Sequence, residues 1–294
     1  MDLAKALFHV TSRGAERILP PVALWFLLWP MNEAFAITFA RRNRERVAAT
    51  RLPMPAGSTF PSVFRRWRHF RRQQSHWWLL GWIDRLSSPK WQRRLRVRDL
   101  DKLTRALAER PVIVCSLHTT SVLTLAAWLR SRGLPTAHVP VDVSWFSSPA
   151  RLRKAALAEK MGQAFVLRPD QPREMVRFLK SGNVLLLTAD FNAGRVTHVP
   201  WRDATVEVGT GLFRMARSTG SAVVPVIIFE TGRWTYEVTV FDPVPQDVIE
   251  SGDTDTAARY VVDCLVPPVV ERPDQAMAVL VESIRPAPTV ASSP

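Results

Sequence analysis

The chain has 294 residues, 47% of them hydrophobic, which suits one large or two modest folded domains and argues against a disordered chain. A formal net charge of +14 points to an anionic partner: lipid headgroups, nucleic acid or an acidic carrier protein. Two cysteines exclude a disulfide framework and a cysteine-rich metal site and suit a reducing compartment. Eleven tryptophans against two tyrosines favour lipid over nucleic acid, because Trp gathers at membrane interfaces.

Residues 1–45 read as an apolar amino-terminal anchor or pair of interfacial helices. Met1–Arg17 is a short amphipathic helix, and Ile18–Ala40 is the most apolar stretch. A helix from Pro20 onward would be roughly 30 Å long, enough for a bilayer core. Pro30, Asn32 and Glu33 fall near its middle, however, and an acidic residue at bilayer centre costs about 2.5–3.5 kcal/mol. Two shorter helices kinked at Pro30 fit better than one clean span, and no small-residue cleavage pattern marks a signal peptide.

Residues 46–110 form a basic, aromatic region in which helices are expected at Phe60–Leu86 and Asp99–Glu109. Arginines beside an apolar anchor suit an anionic leaflet, each contributing about 1 kcal/mol near the surface. A nucleic-acid surface would use the same residues, but no helix-turn-helix or RNP-type motif accompanies them.

Residues 111–285 alternate apolar runs with helical segments, the mark of an α/β domain with crossovers, and 286–294 form a Pro/Ala/Ser-rich tail. Val112–Leu117 is a continuous apolar run, as in a strand covered on both faces, and His118 ends it. Thr119, Thr120 and Ser121 supply N-cap oxygens for an apolar helix over Val122–Leu129. Strands are then expected at Thr136–Val141, Ala164–Arg168, Asn183–Thr188, Ala222–Phe229 and Trp234–Phe241. Helices are expected at Pro149–Met161, Pro172–Lys180 with Gly182 as its stop, Gly209–Thr219, Ala257–Val266 and Pro273–Val281. The resulting fold class is a mixed, mostly parallel central sheet with flanking helices. Pro225 inside a buried strand marks an edge, a bulge or a special connection, because proline cannot donate to a ladder.

A histidine between strand and helix lies at the carboxyl edge of the sheet, where open α/β folds bind ligands. Asp190, with Asn192 and Gly194, follows a second apolar run and would share that edge if the two strands are neighbours. Cys115, three residues before His118 on a strand, faces the other way. The remaining histidines, His9, His69, His76, His138 and His198, lack metal-ligand spacing, and no P-loop, GxGxxG or GxSxG motif is present.

This order of elements resembles the acyltransferases of lipid A biosynthesis, the lauroyl and myristoyl transferases within the wider glycerolipid acyltransferase superfamily. The anchors are Leu19-Pro20, Arg41–Asn43, His118, Leu187–Asp190, Gly209–Gly220 leading into Val223-Val224-Pro225-Val226, and Arg272-Pro273-Asp274-Gln275. The resemblance implies transfer of a fatty acyl chain from acyl carrier protein or a coenzyme A thioester to a hydroxyl of a lipid or glycolipid. It also implies placement on the cytoplasmic face of a bacterial inner membrane and no cofactor beyond the acyl donor.

Such enzymes pair their histidine with a carboxylate five positions later, which orients the imidazole for proton removal. Here that position holds Leu123, so another group must supply the function or the chain acts as a lipid- or carrier-binding protein. Asp190 is the first candidate for the missing partner, ahead of Ser116, Thr120, Ser121 and Thr124. Candidates for substrate contact are Thr119, Ser121, Arg151, Arg153, Asn192 and Arg195. The carboxyl-terminal segment, AMAVLVESIRP, departs from the Trp-rich basic segment usual in the resembled family.

Overall fold

The computed structural model describes residues 19–20, 22–23, 25–26, 29–30, 89–139, 165–168, 170–190, 194–272 and 275–286. Val112–Ser116 (β2) is buried at every position, as its unbroken apolar run requires of a strand flanked and covered on both sides. It pairs in parallel with Val184–Thr188 (β5) on one side and with Ala222–Gly232 (β8) on the other. Beyond β5 lie Thr136–His138 (β3) and Phe165–Val166 (β4), both parallel. Beyond β8 lie Thr235–Val240 (β9), antiparallel to it, and Leu95–Arg98 (β1), parallel to β9. The order across this sheet is β1-β9-β8-β2-β5-β3-β4, mixed and mostly parallel, as the alternation of elements predicts.

Period-2 alternation divides the strand residues between two cores. Ile113, Cys115, Leu185, Val223 and Ile227 face one layer. It is made by Pro172–Lys180 (α4), Gly211–Thr219 (α5) and Thr254–Glu271 (α7), together with a small second sheet. Val112, Val114, Leu186, Val224 and Ile228 face the other layer, where Trp128 of Val122–Ser131 (α3), Leu103 of Leu100–Glu109 (α2) and Trp91 of Pro89–Gln92 (α1) pack. Helix α4 has the predicted limits, and Gly182 just beyond it adopts φ 77°, the left-handed conformation that stops a helix.

Pro225 sits at a change of partner. Its pairing with Cys115 is the last of the ladder to β2, and the ladder between β8 and β9 begins one residue later at Val226. Its carbonyl accepts from the Phe241 N–H at 3.0 Å, just past the end of β9, so the missing proline N–H falls where the ladder has stopped.

Several expectations need correction. β1 lies within the region read as helical and basic. Its Leu-Arg-Val-Arg alternation makes it an edge strand, and the central sheet therefore draws on residues upstream of 111. Arg98 is held by Glu237 at 2.7 Å and Arg94 donates to the Trp234 carbonyl at 3.1 Å, so part of the basic run is internal architecture.

No element was expected between Gly194 and Gly209, but two strands lie there. Val196–Trp201 (β6) and Ala204–Gly209 (β7) form a hairpin, and Ile284–Pro286 (β10) joins β7 to complete the small sheet. Pro200 is tolerated there because β6 is an edge strand. The helix expected to begin at Gly209 begins at Gly211. A short helix at Gln246–Ser251 (α6) precedes α7, which extends to Glu271 with Pro267 and Pro268 inside it. Where a helix was expected over Pro273–Val281, the described residues hold one at Ala278–Ser283 (α8), and residues 275–277 are not α-helical.

Most of the expected anchor, the helix expected over Phe60–Leu86 and that over Pro149–Met161 lie outside the described residues. Leu19 and Trp25 pack against the α1–α3 layer, and Arg233 lies over the rings of Trp25 and Phe26 at 5.2 and 4.1 Å. Val22, Phe26 and Trp29 are exposed. Among the described residues no helix is long and apolar enough to cross a membrane.

Candidate active site

The parallel pairing of β2 and β5 puts Ser116 opposite Thr188. Two residues further along, the same register brings His118 beside Asp190 at the carboxyl edge of both strands. The Ala189 N–H donates to the Ser116 carbonyl at 2.8 Å, carrying the pairing past the end of the strands. The Gly209 N–H then holds the Ala189 carbonyl at 2.7 Å, tying Asp190's turn to β7.

His118 Nδ1 lies 2.9 Å from Asp190 Oδ1, and the His118 backbone N–H donates to both carboxylate oxygens at 3.1–3.2 Å. Both residues are buried, His118 at 5% exposure and Asp190 at 1%. Such a carboxylate must be compensated by hydrogen bonds, and these contacts supply them. An ionised carboxylate can only accept, so the proton of the neutral imidazole is assigned to Nδ1 and the lone pair to Nε2. Nε2 is met by Thr188 Oγ1 at 3.2 Å, with the hydroxyl as donor in this tautomer.

The backbone around His118 is clamped from the far end of the chain. Its carbonyl accepts from the Met277 N–H at 2.8 Å, and the Thr120 N–H donates to the Gln275 carbonyl at 2.9 Å. Thr119 and Ala276 form an antiparallel bridge between these contacts. Gln275 is in turn fastened to β8: its Oε1 accepts from the Glu230 N–H and its Nε2 donates to the Glu230 carbonyl, both at 2.8 Å. A buried side-chain amide thus replaces one rung of a β ladder and fixes the strap 275–277 over the His118 loop.

Thr119 is fully buried and its hydroxyl donates to the Ile228 carbonyl at 3.0 Å, so this side chain holds the loop to β8. Ser121 is also fully buried and caps the start of α3 by position, without a side-chain cap bond. Among the described residues Ser116 Oγ reaches the Leu117 carbonyl, at 3.5 Å. Position 123 falls in the first turn of α3. Cys115 points into the opposite core, and burial pushes its thiol well above the ordinary range, leaving it protonated.

Arg195 lies five residues past Asp190 and is exposed. It lines a surface cavity of about 370 Å³ with Thr197, Thr210, Arg214 and Arg217, whose lining includes neither His118 nor Asp190. Arg151, Arg153 and Asn192 lie outside the described residues. Thr188 and Gln275 are the residues that sequence reasoning did not assign to the site. Thr188 carries a signal in hindsight, since it ends the strand two places before Asp190. Gln275 stands in the Arg-Pro-Asp-Gln anchor, but nothing local in that motif tells that it grips β8.

A buried carboxylate, an imidazole held in one tautomer and a nitrogen lone pair facing a hydroxyl make a proton-accepting site. A search of curated proteins gives no match to the chain. The family described as bacterial lipid A biosynthesis acyltransferase matches residues 68–279, more than two thirds of the chain, and so spans both strands that carry His118 and Asp190. The chain belongs to the bacterial lipid A biosynthesis acyltransferase family and is an acyltransferase.

Proposed function

We propose that this protein transfers a fatty acyl chain from a thioester of acyl carrier protein or coenzyme A to a hydroxyl of a lipid or glycolipid, with His118 as general base. The observation that carries this reading is the 2.9 Å contact between His118 Nδ1 and Asp190 Oδ1 in a buried setting. Asp190 takes the part of the carboxylate missing at Leu123: it holds the tautomer and stabilises the imidazolium that forms when Nε2 takes a proton. The activated oxygen attacks the thioester carbonyl carbon, the C–S bond breaks, and the proton on Nε2 passes to the departing sulfur.

The supporting cast follows from charge and position. Arg195, Arg151 and Arg153 are assigned to phosphate groups on donor or acceptor. The net charge of +14 and the exposed apolar positions Val22, Phe26 and Trp29 suit work at an anionic membrane surface, on the cytoplasmic side where the acyl donors are made.

The test is mass spectrometry of lipids from cells expressing the wild type or His118→Ala at matched protein levels. An acylated lipid present with the wild type and absent with the variant identifies the acceptor. Identical lipid profiles in cells that contain the acceptor would leave the chain as a lipid- or carrier-binding member of its family.

A further inference from the structure

The lone pair that His118 offers to a substrate is already taken within the chain itself. Nε2 faces Thr188 Oγ1 at 3.2 Å, with the hydroxyl as donor, while Asp190 holds the other side of the ring at 2.9 Å. Nε2 has one lone pair, so it accepts from one hydroxyl at a time. Among the described residues the Thr188 hydroxyl makes no other hydrogen bond, so the strand does not depend on it for its own pairing. His118 and Asp190 are buried, whereas Thr188 is only partly so, which leaves its hydroxyl as the outermost member of the series. We propose that Thr188 is a specificity-determining residue: its hydroxyl covers the base until the lipid hydroxyl displaces it, and so keeps water and small alcohols from taking the acyl chain. This deepens the acyl-transfer reading above and rests on it.

Any nucleophile that uses His118 must first move that hydroxyl aside. A lipid hydroxyl exchanges one neutral O–H···N bond for another of the same kind, and contacts made by the rest of the lipid supply the binding energy that drives the exchange. Water makes the same bond and brings nothing further, while it competes with a hydroxyl that the strand already holds in place. The two reactions differ only in the nucleophile. With the lipid, Nε2 takes the hydroxyl proton as the oxygen attacks the thioester carbonyl carbon, the C–S bond breaks, and the proton passes to the sulfur, giving acylated lipid and carrier thiol. With water, the same steps give free fatty acid and carrier thiol, and the acyl chain is lost. Thr188 is unmodified throughout and turns away by rotation about its Cα–Cβ bond when the lipid arrives.

The experiment uses the full-length protein in detergent with lauroyl-acyl carrier protein and lauroyl-coenzyme A. Free laurate is measured without lipid, ethyl laurate is measured in dilute ethanol, and acylated lipid is measured with a bacterial lipid extract. In the wild type, laurate should form far more slowly than acylated lipid. Thr188→Val preserves shape and removes the hydroxyl. Its ratio of laurate release to lipid transfer should rise roughly 3- to 10-fold, as the loss of one net hydrogen bond allows, and ethyl laurate should appear. Thr188→Ser keeps the hydroxyl and should keep the ratio low. Adding His118→Ala to Thr188→Val should return laurate release to background, because the uncovered base drives it. A merely structural role would lower hydrolysis and transfer together and leave the ratio unmoved.

A ratio that stays at the wild-type value in Thr188→Val and in Thr188→Ala overturns the proposal. So does a wild type that hydrolyses the donor as fast as it acylates lipid, a result that needs no variant to fold. In both cases continued transfer that depends on His118 leaves the general-base reading standing. If no lipid in the extract is acylated, laurate release by Thr188→Val is compared with that of the wild type alone. A His118-dependent rise then supports the covering hydroxyl and overturns the lipid acceptor, and no rise overturns both.

Discussion

Replacing Asp190 by Asn tests the electrostatic half of the site while keeping its shape. The substituted amide can still accept from the His118 backbone N–H through its carbonyl oxygen, as the aspartate Oδ2 does at 3.1 Å. Its NH₂, however, would face Nδ1, and a donor there forces Nδ1 to become the acceptor. The imidazole proton then moves to Nε2, the nitrogen that must accept in the reaction. The imidazolium also loses the buried charge lying 2.9 Å away. Loss of such a partner lowers turnover on the order of 10⁴-fold, about 5.4 kcal/mol of barrier. Alanine is the poorer probe, because it strands two buried donors at about 1–3 kcal/mol each and unfolding would confuse the result. The assay is kcat for transfer from a labelled acyl thioester at saturating donor, with thermal melting as the control. The loss should appear in kcat and not in KM, since Asp190 acts through His118. A normally folded Asp190→Asn enzyme with kcat within tenfold of the wild type would refute the assignment.

Two further predictions concern what surrounds the site. Gln275→Ala removes two 2.8 Å bonds to the Glu230 backbone in a buried setting. Stability should fall by about 2–4 kcal/mol in urea unfolding, with transfer activity falling alongside as the strap loosens from His118; unchanged stability would sink the clamp. His138 has a buried Nδ1 with no hydrogen-bond partner among the described residues, and burial lowers its pKa from 6.5 to about 4. The unfolded chain therefore takes up a proton near pH 6.5 while the folded ring resists to about pH 4, so stability present above pH 6.5 is lost progressively down to pH 4. Allowing for the partial exposure of the residue, the loss is about 2 kcal/mol, and His138→Leu should flatten that part of the stability–pH profile. An unchanged slope between pH 6.5 and 4 in the variant would contradict it.

What could be read from the sequence was whatever a short window of residues expresses. The apolar run ending at His118, the run before Asp190 and the amphipathic helix Pro172–Lys180 each announce themselves through periodicity and their flanking residues. β1 was hidden because its alternation is written in arginine, which reads as a solvated or membrane-facing charge run until Glu237 and the Trp234 carbonyl are seen to receive it. The β6–β7 hairpin was hidden because it turns on Arg202-Asp203, with Arg202 at φ 54°, in place of the Asn-Gly or Gly pair that signals a tight turn. Thr188 was hidden for a different reason. It meets His118 across 70 residues of chain through the register of two strands, and register is a property of the assembled sheet.

On the proposed reading, that register brings Asp190 to the histidine to do the work of the carboxylate expected at position 123, where this chain has leucine. A carboxylate on the helix after the histidine and a carboxylate on the neighbouring strand approach the imidazole from different elements, but the chemistry asks only for a buried acceptor at Nδ1. On the strand side that acceptor is held by two independent constraints. The ladder of β2 and β5 runs on through the Ala189 N–H to the Ser116 carbonyl, and the His118 backbone N–H grips the same carboxylate that its ring does. With backbone and ring bound to one group, His118 cannot rotate about its side-chain bonds without giving up a buried charge-assisted bond. Its Nε2 is thereby aimed at Thr188 without help from α3. The same rigidity means that His118 and Asp190 should behave as one unit, with kcat for acyl transfer in the double variant falling little further than in His118→Ala alone.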